Sequence, residues 1–239
     1  MRRFLPTLAL LLSCLLPMAA LAQPMALSFR EGVDFDTLPQ PIPTFGKGKI
    51  EVAEVFSYGC IHCANFQPLV NAHRKTLGKD VRWEYVPAAF GGVHDTFGRA
   101  FFAAQQLGVQ ERTHDAVFAG IFQQQKVKQG TPDEVADLYA GLGVDRAKFL
   151  AAMQGDAVKA RMQRAREFGM SAGVESTPSL VVNGKYRVRG RADTGFQGML
   201  RTVDFLVARE RAAMPAKPAK PAAKPAPAAK PAKAKKEAA

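Results

Sequence analysis

Two cysteines separated by two residues, Cys60 and Cys63, stand where a strand-like segment gives way to a helical pattern. The preceding segment, 50–59, is apolar and β-branched before it turns at Gly59, which is typical of a buried strand ending in a tight turn. At a helix start, the free N–H groups and the positive end of the helix dipole favour a thiolate. His62, between the two cysteines, adds a nearby cation with the same effect. This combination predicts thiol–disulfide chemistry on an α/β scaffold.

Two other uses of such a cysteine pair fit the sequence less well. A purely structural disulfide would close a very small loop, which removes little chain entropy from the unfolded state and stabilises little. A zinc site normally takes four nitrogen or sulfur ligands, and only His62 lies near the two cysteines in the sequence. We therefore expect neither a metal ion nor another cofactor.

Residues 1–22 have the layout of a secretory signal peptide. Arg2 and Arg3 precede a nearly continuous apolar run, and a small-residue cleavage motif ends at Ala22. Cys14 loosely resembles a lipoprotein processing site, but the apolar segment continues beyond it. We expect cleavage after Ala22 rather than lipidation at Cys14. Export would bring the chain into an oxidising compartment, where a disulfide can persist.

The formal net charge of +12 is concentrated outside the predicted body of the protein. The segment 214–239 is rich in Lys, Pro and Ala, and its seven lysines against one glutamate hold half of that excess. Arg2 and Arg3 would leave with the signal peptide, so a body with a net charge of +4 remains. This distribution argues against nucleic-acid binding. We expect a disordered tail, either merely solubilising or in weak contact with anionic envelope surfaces.

The first half of the body predicts a strand–helix–strand unit. Alternation and β-branched residues indicate strands over 50–56 and 81–86, and helical spacing indicates a helix over 60–77 between them. Pro68 falls inside that helix and should kink it, because it removes a backbone donor. Because one helix connects them, the two strands should form a parallel pair. A short edge strand over 27–29 precedes this unit.

From residue 91 the pattern becomes helical and remains so to about residue 173. Thr131 illustrates the start signals, because a proline and two acidic residues follow this N-cap. The five helices are expected at 94–107, 111–124, 132–141, 145–153 and 156–172.

The β pattern then returns as a hairpin and a last helix. Strands over 179–182 and 185–188 flank Asn183-Gly184, the strongest short-range signal for a hairpin turn. A helix over 194–211 carries one apolar face. Neither β half could form a covered sheet alone, so the halves should pair across the helices.

The sequence thus predicts one α/β domain interrupted by an all-helical insertion. We place the α/β domain at 23–90 and 174–213, the insertion at 91–173 and the tail at 214–239.

These elements, in this order, resemble the thioredoxin fold and specifically the DsbA family of periplasmic disulfide oxidants, from about residue 27 to residue 211. The resemblance rests on Glu54 in the strand ahead of the Cys-x-His-Cys motif, on Pro68 in the following helix, and on segment 176–185 with its Thr177-Pro178 pair. The fold class it implies is a thioredoxin-like fold interrupted by an all-helical insertion domain. One departure is Ile61, where the best-known members have proline, and it leaves the redox potential open.

The resemblance also implies roles for the site residues. Cys60 would be the exposed nucleophile and Cys63 the more buried resolving thiol, and the two would form the redox disulfide. His62 would favour the Cys60 thiolate. Glu54 would be a partly buried acid that assists proton transfer, although its register also allows a surface carboxylate. Ile61, Thr177 and Pro178 would contact the substrate, and the Thr177-Pro178 peptide bond would be cis.

The implied function is that of a periplasmic, monomeric oxidase that donates its disulfide to reduced exported proteins. A DsbB-like, quinone-linked membrane partner would re-oxidise it. Two alternatives stay open: a disulfide isomerase or reductase of the same fold, and a non-catalytic envelope chaperone or tether. An isomerase would normally carry an N-terminal dimerisation domain, for which too few residues precede the first strand.

Two further groups of residues have no assigned chemistry. The segment 90–93 could line an apolar substrate groove or pack in the core. The histidines outside the cysteine motif lack ligand-like partners in the sequence and are expected to be structural or solvated. They are His73, His94 and His114.

Overall fold

The computed structural model describes residues 28–214. The predicted signal peptide, Cys14 and almost all of the basic tail lie outside the described residues, so those predictions stay predictions. Within the described part, five strands and seven helices follow one another along the chain. They are β1 (Phe35–Thr37), β2 (Ile50–Phe56), α1 (Ile61–Arg74), β3 (Val81–Pro87), α2 (Val93–Gln106), α3 (Gln110–Phe122), α4 (Pro132–Gly141), α5 (Arg146–Gln154), α6 (Asp156–Ser171), β4 (Ser179–Val182), β5 (Tyr186–Val188) and α7 (Gly195–Ala213).

One five-stranded mixed sheet, ordered β1-β5-β4-β2-β3, forms the centre of the molecule. β2 runs parallel to β3 and antiparallel to β4, and all seven of its residues are buried. The halves of the sheet therefore pair across the helices α2 to α6, as the sequence predicts. This confirms the thioredoxin-like α/β fold with a helical insertion.

The first strand lies elsewhere than predicted. Ser28 and Phe29, expected in an edge strand, are not in a strand, and β1 forms instead at Phe35–Thr37. The apolar ring of Phe29 is used for packing, because it stacks on Phe205 of α7 with ring centroids 5.0 Å apart. Asp36 within β1 accepts hydrogen bonds from arginines at the β5 end of the sheet.

The hairpin between β4 and β5 turns at the predicted residues. Asn183 and Gly184 have φ values of 50° and 61°, as required at both central positions of a type I′ turn. A Cβ at Gly184 would lie 2.2 Å from the carbonyl oxygen of Ile42, so this position has no room for a side chain. The hairpin fixes β4, whose first residue follows the Thr177-Pro178 peptide bond.

Helices cover both faces of the sheet around β2. α1 lies over the face that carries the side chain of Tyr85, to which Gln67 donates a hydrogen bond of 2.9 Å. α6 lies on the opposite face, where Ala165 and Gly169 line a small cavity together with Val55. Within residues 28–214, no helix has the length and apolar composition needed to cross a bilayer.

The sequence left open whether Phe90 and Val93 line a groove or pack in the core, and the structure shows that they are not core residues. Their side chains are 46% and 39% exposed. Both lie at the junction of β3 and α2, next to Gly91 and Gly92, which have positive φ.

Candidate active site

The two cysteines occupy the first turn of α1 directly after a turn that closes β2. The Cys60 N–H donates a 3.0 Å hydrogen bond to the carbonyl oxygen of Ser57, and Cys60 is the N-cap residue of the helix. Cys63 lies one turn further and is fully buried, whereas Cys60 is half-buried rather than fully exposed. Both are free thiols in this structure. The predicted disulfide is therefore not formed here and stays a prediction.

The environments of the two thiols shift their pKa values in opposite directions. The Cys63 thiol donates a hydrogen bond to Cys60, and this contact lowers the pKa of Cys60 to about 5 against the opposing effect of burial. The side chain of Thr177 and the backbone N–H groups of His62 and Cys63 also lower it. Burial raises the pKa of Cys63 far above its ordinary value, and the neighbouring Cys60 and Glu54 charges raise it further. At neutral pH the pair therefore holds one thiolate and one thiol.

Thr177 and Pro178 face the reactive sulfur, and the peptide bond between them is cis. The Sγ of Cys60, as a thiol, donates to the carbonyl oxygen of Thr177 across 3.3 Å. These residues are 117 positions apart in the chain, so only the pairing of β4 with β2 brings them together. The residue two positions before β4 thus lies within contact distance of the cysteine motif.

Glu54 is buried beneath α1, with 1% of its surface exposed. The Nε1–H of Trp83 on β3 donates to its Oε2 across 3.3 Å. Burial raises the pKa of Glu54 to about 8, against the lowering effects of this hydrogen bond and of the Arg74 charge. The surface alternative for Glu54 is therefore wrong, and the carboxyl group is largely protonated at neutral pH.

Ile61 and His62 are exposed on the outer side of the first turn, and Ile61 is 45% exposed. His62 acts on the Cys60 thiolate through its backbone N–H. Any contribution of its ring, which the sequence predicted, remains a proposal. Ile61 begins an open groove of about 450 Å³ between α1 and α3, which Phe118 and Phe122 line from the other side.

Several neighbours of the motif were not anticipated from the sequence. Ser57, in the turn before Cys60, is buried and contacts His94 of α2, with 2.9 Å between Oγ and Nδ1. Tyr58 is fully buried, and its hydroxyl lies 2.8 Å from Nδ1 of His114. Burial lowers the pKa of His114 to about 3, so this histidine is neutral. No local pattern could reveal these pairs, whose partners lie 37 and 56 residues apart.

A metal-based alternative finds no support among residues 28–214. No group of three or more His, Cys, Asp or Glu side chains is arranged there to hold an ion.

Comparison with known proteins agrees with this chemistry. The thioredoxin family model matches residues 46–202. The thiol:disulfide interchange protein DsbA of Pseudomonas aeruginosa is 38% identical over 213 residues, covering 89% of this chain and 99% of its own length. This chain belongs to the DsbA family.

Solved DsbA structures extend the likeness to three dimensions. The DsbA of Xylella fastidiosa is 43% identical, with a TM-score of 0.72, over 77% of this chain and 98% of that one. The DsbA of P. aeruginosa is 38% identical, also with a TM-score of 0.72, over 77% and 96% of the two chains. As a DsbA-family protein, this chain is a thiol:disulfide oxidoreductase.

Proposed function

We propose that this protein works in the oxidising direction, donating a Cys60–Cys63 disulfide to reduced exported proteins. The observation that carries the proposal is the pKa of Cys60, lowered to about 5 at a half-buried helix start while its partner stays protonated. A thiolate stabilised in the reduced form makes the corresponding disulfide a strong oxidant. The asymmetry of the two sulfurs therefore supports the oxidising direction.

The reaction begins when a substrate thiolate attacks Sγ of Cys60, the accessible sulfur. The new bond joins the substrate to Cys60, the Cys60–Cys63 bond breaks, and its electron pair goes to Cys63. Since a thiolate at Cys63 is strongly disfavoured, it takes the proton that Glu54 holds. A second substrate thiolate then attacks the substrate sulfur of the mixed disulfide, and Cys60 leaves as a stabilised thiolate. The substrate is oxidised by two electrons, and the enzyme is reduced by two.

Ile61, Thr177 and Pro178 are proposed to bind the substrate segment around its cysteine. Their support is their place around Cys60: Ile61 is exposed beside it, and the Thr177 carbonyl lies 3.3 Å from Sγ. An extended peptide could pair with the backbone there as a short added strand. His62 is proposed to add a favourable positive charge when its exposed ring is protonated.

The cycle requires an electron acceptor for the reduced enzyme. We propose a DsbB-like membrane protein that passes the two electrons and two protons to a quinone. The periplasm is the proposed compartment, supported by the signal-like sequence at 1–22 and by the family.

The deciding experiment is the equilibrium of the Cys60–Cys63 couple in a series of glutathione redox buffers. We expect a potential of about −120 mV, the reference value for DsbA. A potential of about −270 mV, the thioredoxin value, would contradict the oxidase proposal and favour a reductase or isomerase.

A second measurement tests the reaction itself, using reduced, denatured ribonuclease A as substrate. The oxidised protein should restore ribonuclease activity, and Cys60→Ser should abolish this. Cys63→Ser cannot form the Cys60–Cys63 disulfide, so it should not restore the activity either. If the wild type restored no activity and only kept the substrate from aggregating, and Cys60→Ser did the same, a non-catalytic chaperone would be the better description.

A further inference from the structure

Ser57 connects the turn before α1 to both cysteines. Its carbonyl oxygen accepts from the N–H of Cys60 at 3.0 Å, and its backbone N–H stabilises the thiolate form of Cys63. Its Oγ accepts from the N–H of Gly59 at 3.2 Å. The position of Ser57 therefore sets where both sulfurs lie relative to the helix start.

His94 holds the side chain of Ser57 from the helical insertion. Its Nδ1 lies 2.9 Å from the Oγ of Ser57, which is 2% exposed. The serine Oγ accepts from the Gly59 N–H and can at the same time donate its own proton to Nδ1 of His94. A buried hydroxyl that lost this partner would be left with an unsatisfied donor.

The start of α2, on which His94 lies, is itself firmly anchored. Asp95 accepts from the N–H of Gly91 at 3.0 Å and from Arg166 of α6 at 2.8 Å. Three residues after His94, Phe97 packs directly over Gly59, where an added Cβ would lie 2.9 Å from its ring. One face of α2 thus both covers the turn and forms a hydrogen bond with it.

We propose that His94 is a positioning residue for the redox couple, acting through Ser57 to hold the turn in the geometry that favours the reduced state. The inference rests on the proposed function. Its physical basis is that the hydrogen bonds from the backbone N–H groups of His62 and Cys63 to Cys60 are charge-assisted only when Cys60 is a thiolate. The disulfide carries no charge, so a loosened turn costs the reduced form more than the oxidised form.

A simpler role for His94 would be to anchor α2 without affecting the cysteines. In that case its loss would destabilise the oxidised and reduced forms equally, and the redox equilibrium would not move. The redox equilibrium constant and the pH midpoint of thiolate formation therefore distinguish the two roles, whereas thermal stability alone would not.

The experiment uses the full chain and four variants. His94→Phe keeps a ring but removes Nδ1, His94→Asn keeps a polar atom near the same place, and Ser57→Ala removes the other end of the hydrogen bond. The fourth variant combines His94→Phe with Ser57→Ala. Equilibrium with glutathione gives the redox constant, and the ultraviolet absorbance of the thiolate gives the midpoint.

We expect His94→Phe to shift the redox equilibrium about fivefold toward the disulfide, the effect of losing one net hydrogen bond. The thiolate midpoint should rise with it. Ser57→Ala should cause a similar shift, the double variant should add little to either, and His94→Asn should restore most of the wild-type value.

The matched control is Gln105→Ala, which removes a side-chain hydrogen bond to Arg161 from the far end of the same helix. It should leave the redox equilibrium unchanged. The inference is overturned if His94→Phe matches the wild type, if Gln105→Ala shifts the equilibrium as much, or if the Ser57 and His94 shifts are additive. Should His94→Phe not fold, an unchanged equilibrium in Ser57→Ala overturns it equally. A couple that is not oxidising in the wild type would instead refute the proposed function.

Discussion

Glu54 departs most clearly from the ordinary behaviour of its residue type. A carboxyl group buried on a central strand loses its hydrogen bonds to water, and here the N–H of Trp83 replaces only one of them. The result is a pKa raised to about 8, so the group can both hold and release a proton near neutral pH. This property matches the needs of Cys63, which must gain a proton whenever its disulfide opens.

We predict that Glu54→Gln slows mixed-disulfide formation with a substrate thiol roughly tenfold to hundredfold, because the amide cannot transfer a proton. In the wild type, the rate divided by the thiolate fraction of the substrate should fall as pH rises through about 8, where Glu54 loses its proton. The variant should lack this fall. Stopped-flow measurements over a pH series would test it.

The protein contains its own probe for this titration, since Trp83 is the only tryptophan in the chain and donates to Glu54. Its fluorescence should titrate with a midpoint of about 8 in the wild type and lose that step in Glu54→Gln. An unchanged pH profile of both rate and fluorescence in the variant would contradict the proton-transfer role.

At the level of elements, α4 combines the clearest start signal with its predicted bounds. α4 covers the predicted residues, because Thr131 and Glu134 form a capping box in which each side chain bonds the other's backbone N–H. α5 differs from its prediction by one residue at each end, with Asp145 as its N-cap. These signals work because a cap and its target are neighbours in the sequence.

We predict that Asp145→Ala lowers the free energy of unfolding by about 1 kcal/mol in both redox forms, because the Lys148 N–H loses its acceptor at 2.9 Å. Denaturant unfolding would measure this. Asp145→Asn is the matched control, since asparagine caps a helix equally well and should retain the stability. The redox potential should stay constant in both variants; a shift would mean that α5 is coupled to the cysteines.

Across the whole molecule, the two shifted groups of the site give stability opposite dependences on pH. Cys60 has a pKa of about 5 when folded against an ordinary 9.0, so it adds stability to the reduced form as pH rises through this window. Glu54 has a pKa of about 8 against 4.5, so the stability it contributes is lost as pH rises. Glu54 is present in both redox forms, whereas the Cys60 thiol, whose charge adds to the raised pKa of Glu54, exists only in the reduced one.

We therefore predict that the stability of the reduced form, relative to the oxidised form, increases between pH about 5 and about 9. Urea unfolding of both forms at several pH values would measure the difference. In a variant with serine at both Cys60 and Cys63, stability should follow Glu54 and decline as pH rises above the ordinary carboxyl pKa of 4.5, because burial still raises the pKa of Glu54. A difference between the two forms that does not change with pH would refute the assigned Cys60 thiolate.

The sequence by itself determined the alternating and helical segments, the Asn183-Gly184 turn, the cap of α4 and the position of the cysteine pair at a helix start. Each of these depends on residues within a few positions of one another, where backbone geometry and hydrogen bonding act locally. The prediction of the edge strand was wrong because the three-residue strand at Phe35–Thr37 forms only by pairing with β5, which is distant in the sequence.

Only the tertiary structure decided the chemistry around the cysteines. The burial of Glu54, the approach of the Thr177 carbonyl to Cys60 and the contact of His94 with Ser57 all join segments that are distant in the chain. Desolvation and long-range hydrogen bonds depend on which elements pack together, and no local pattern specifies them. The motif therefore identifies the sulfurs, and the packing of the sheet and the inserted helices sets their reactivity.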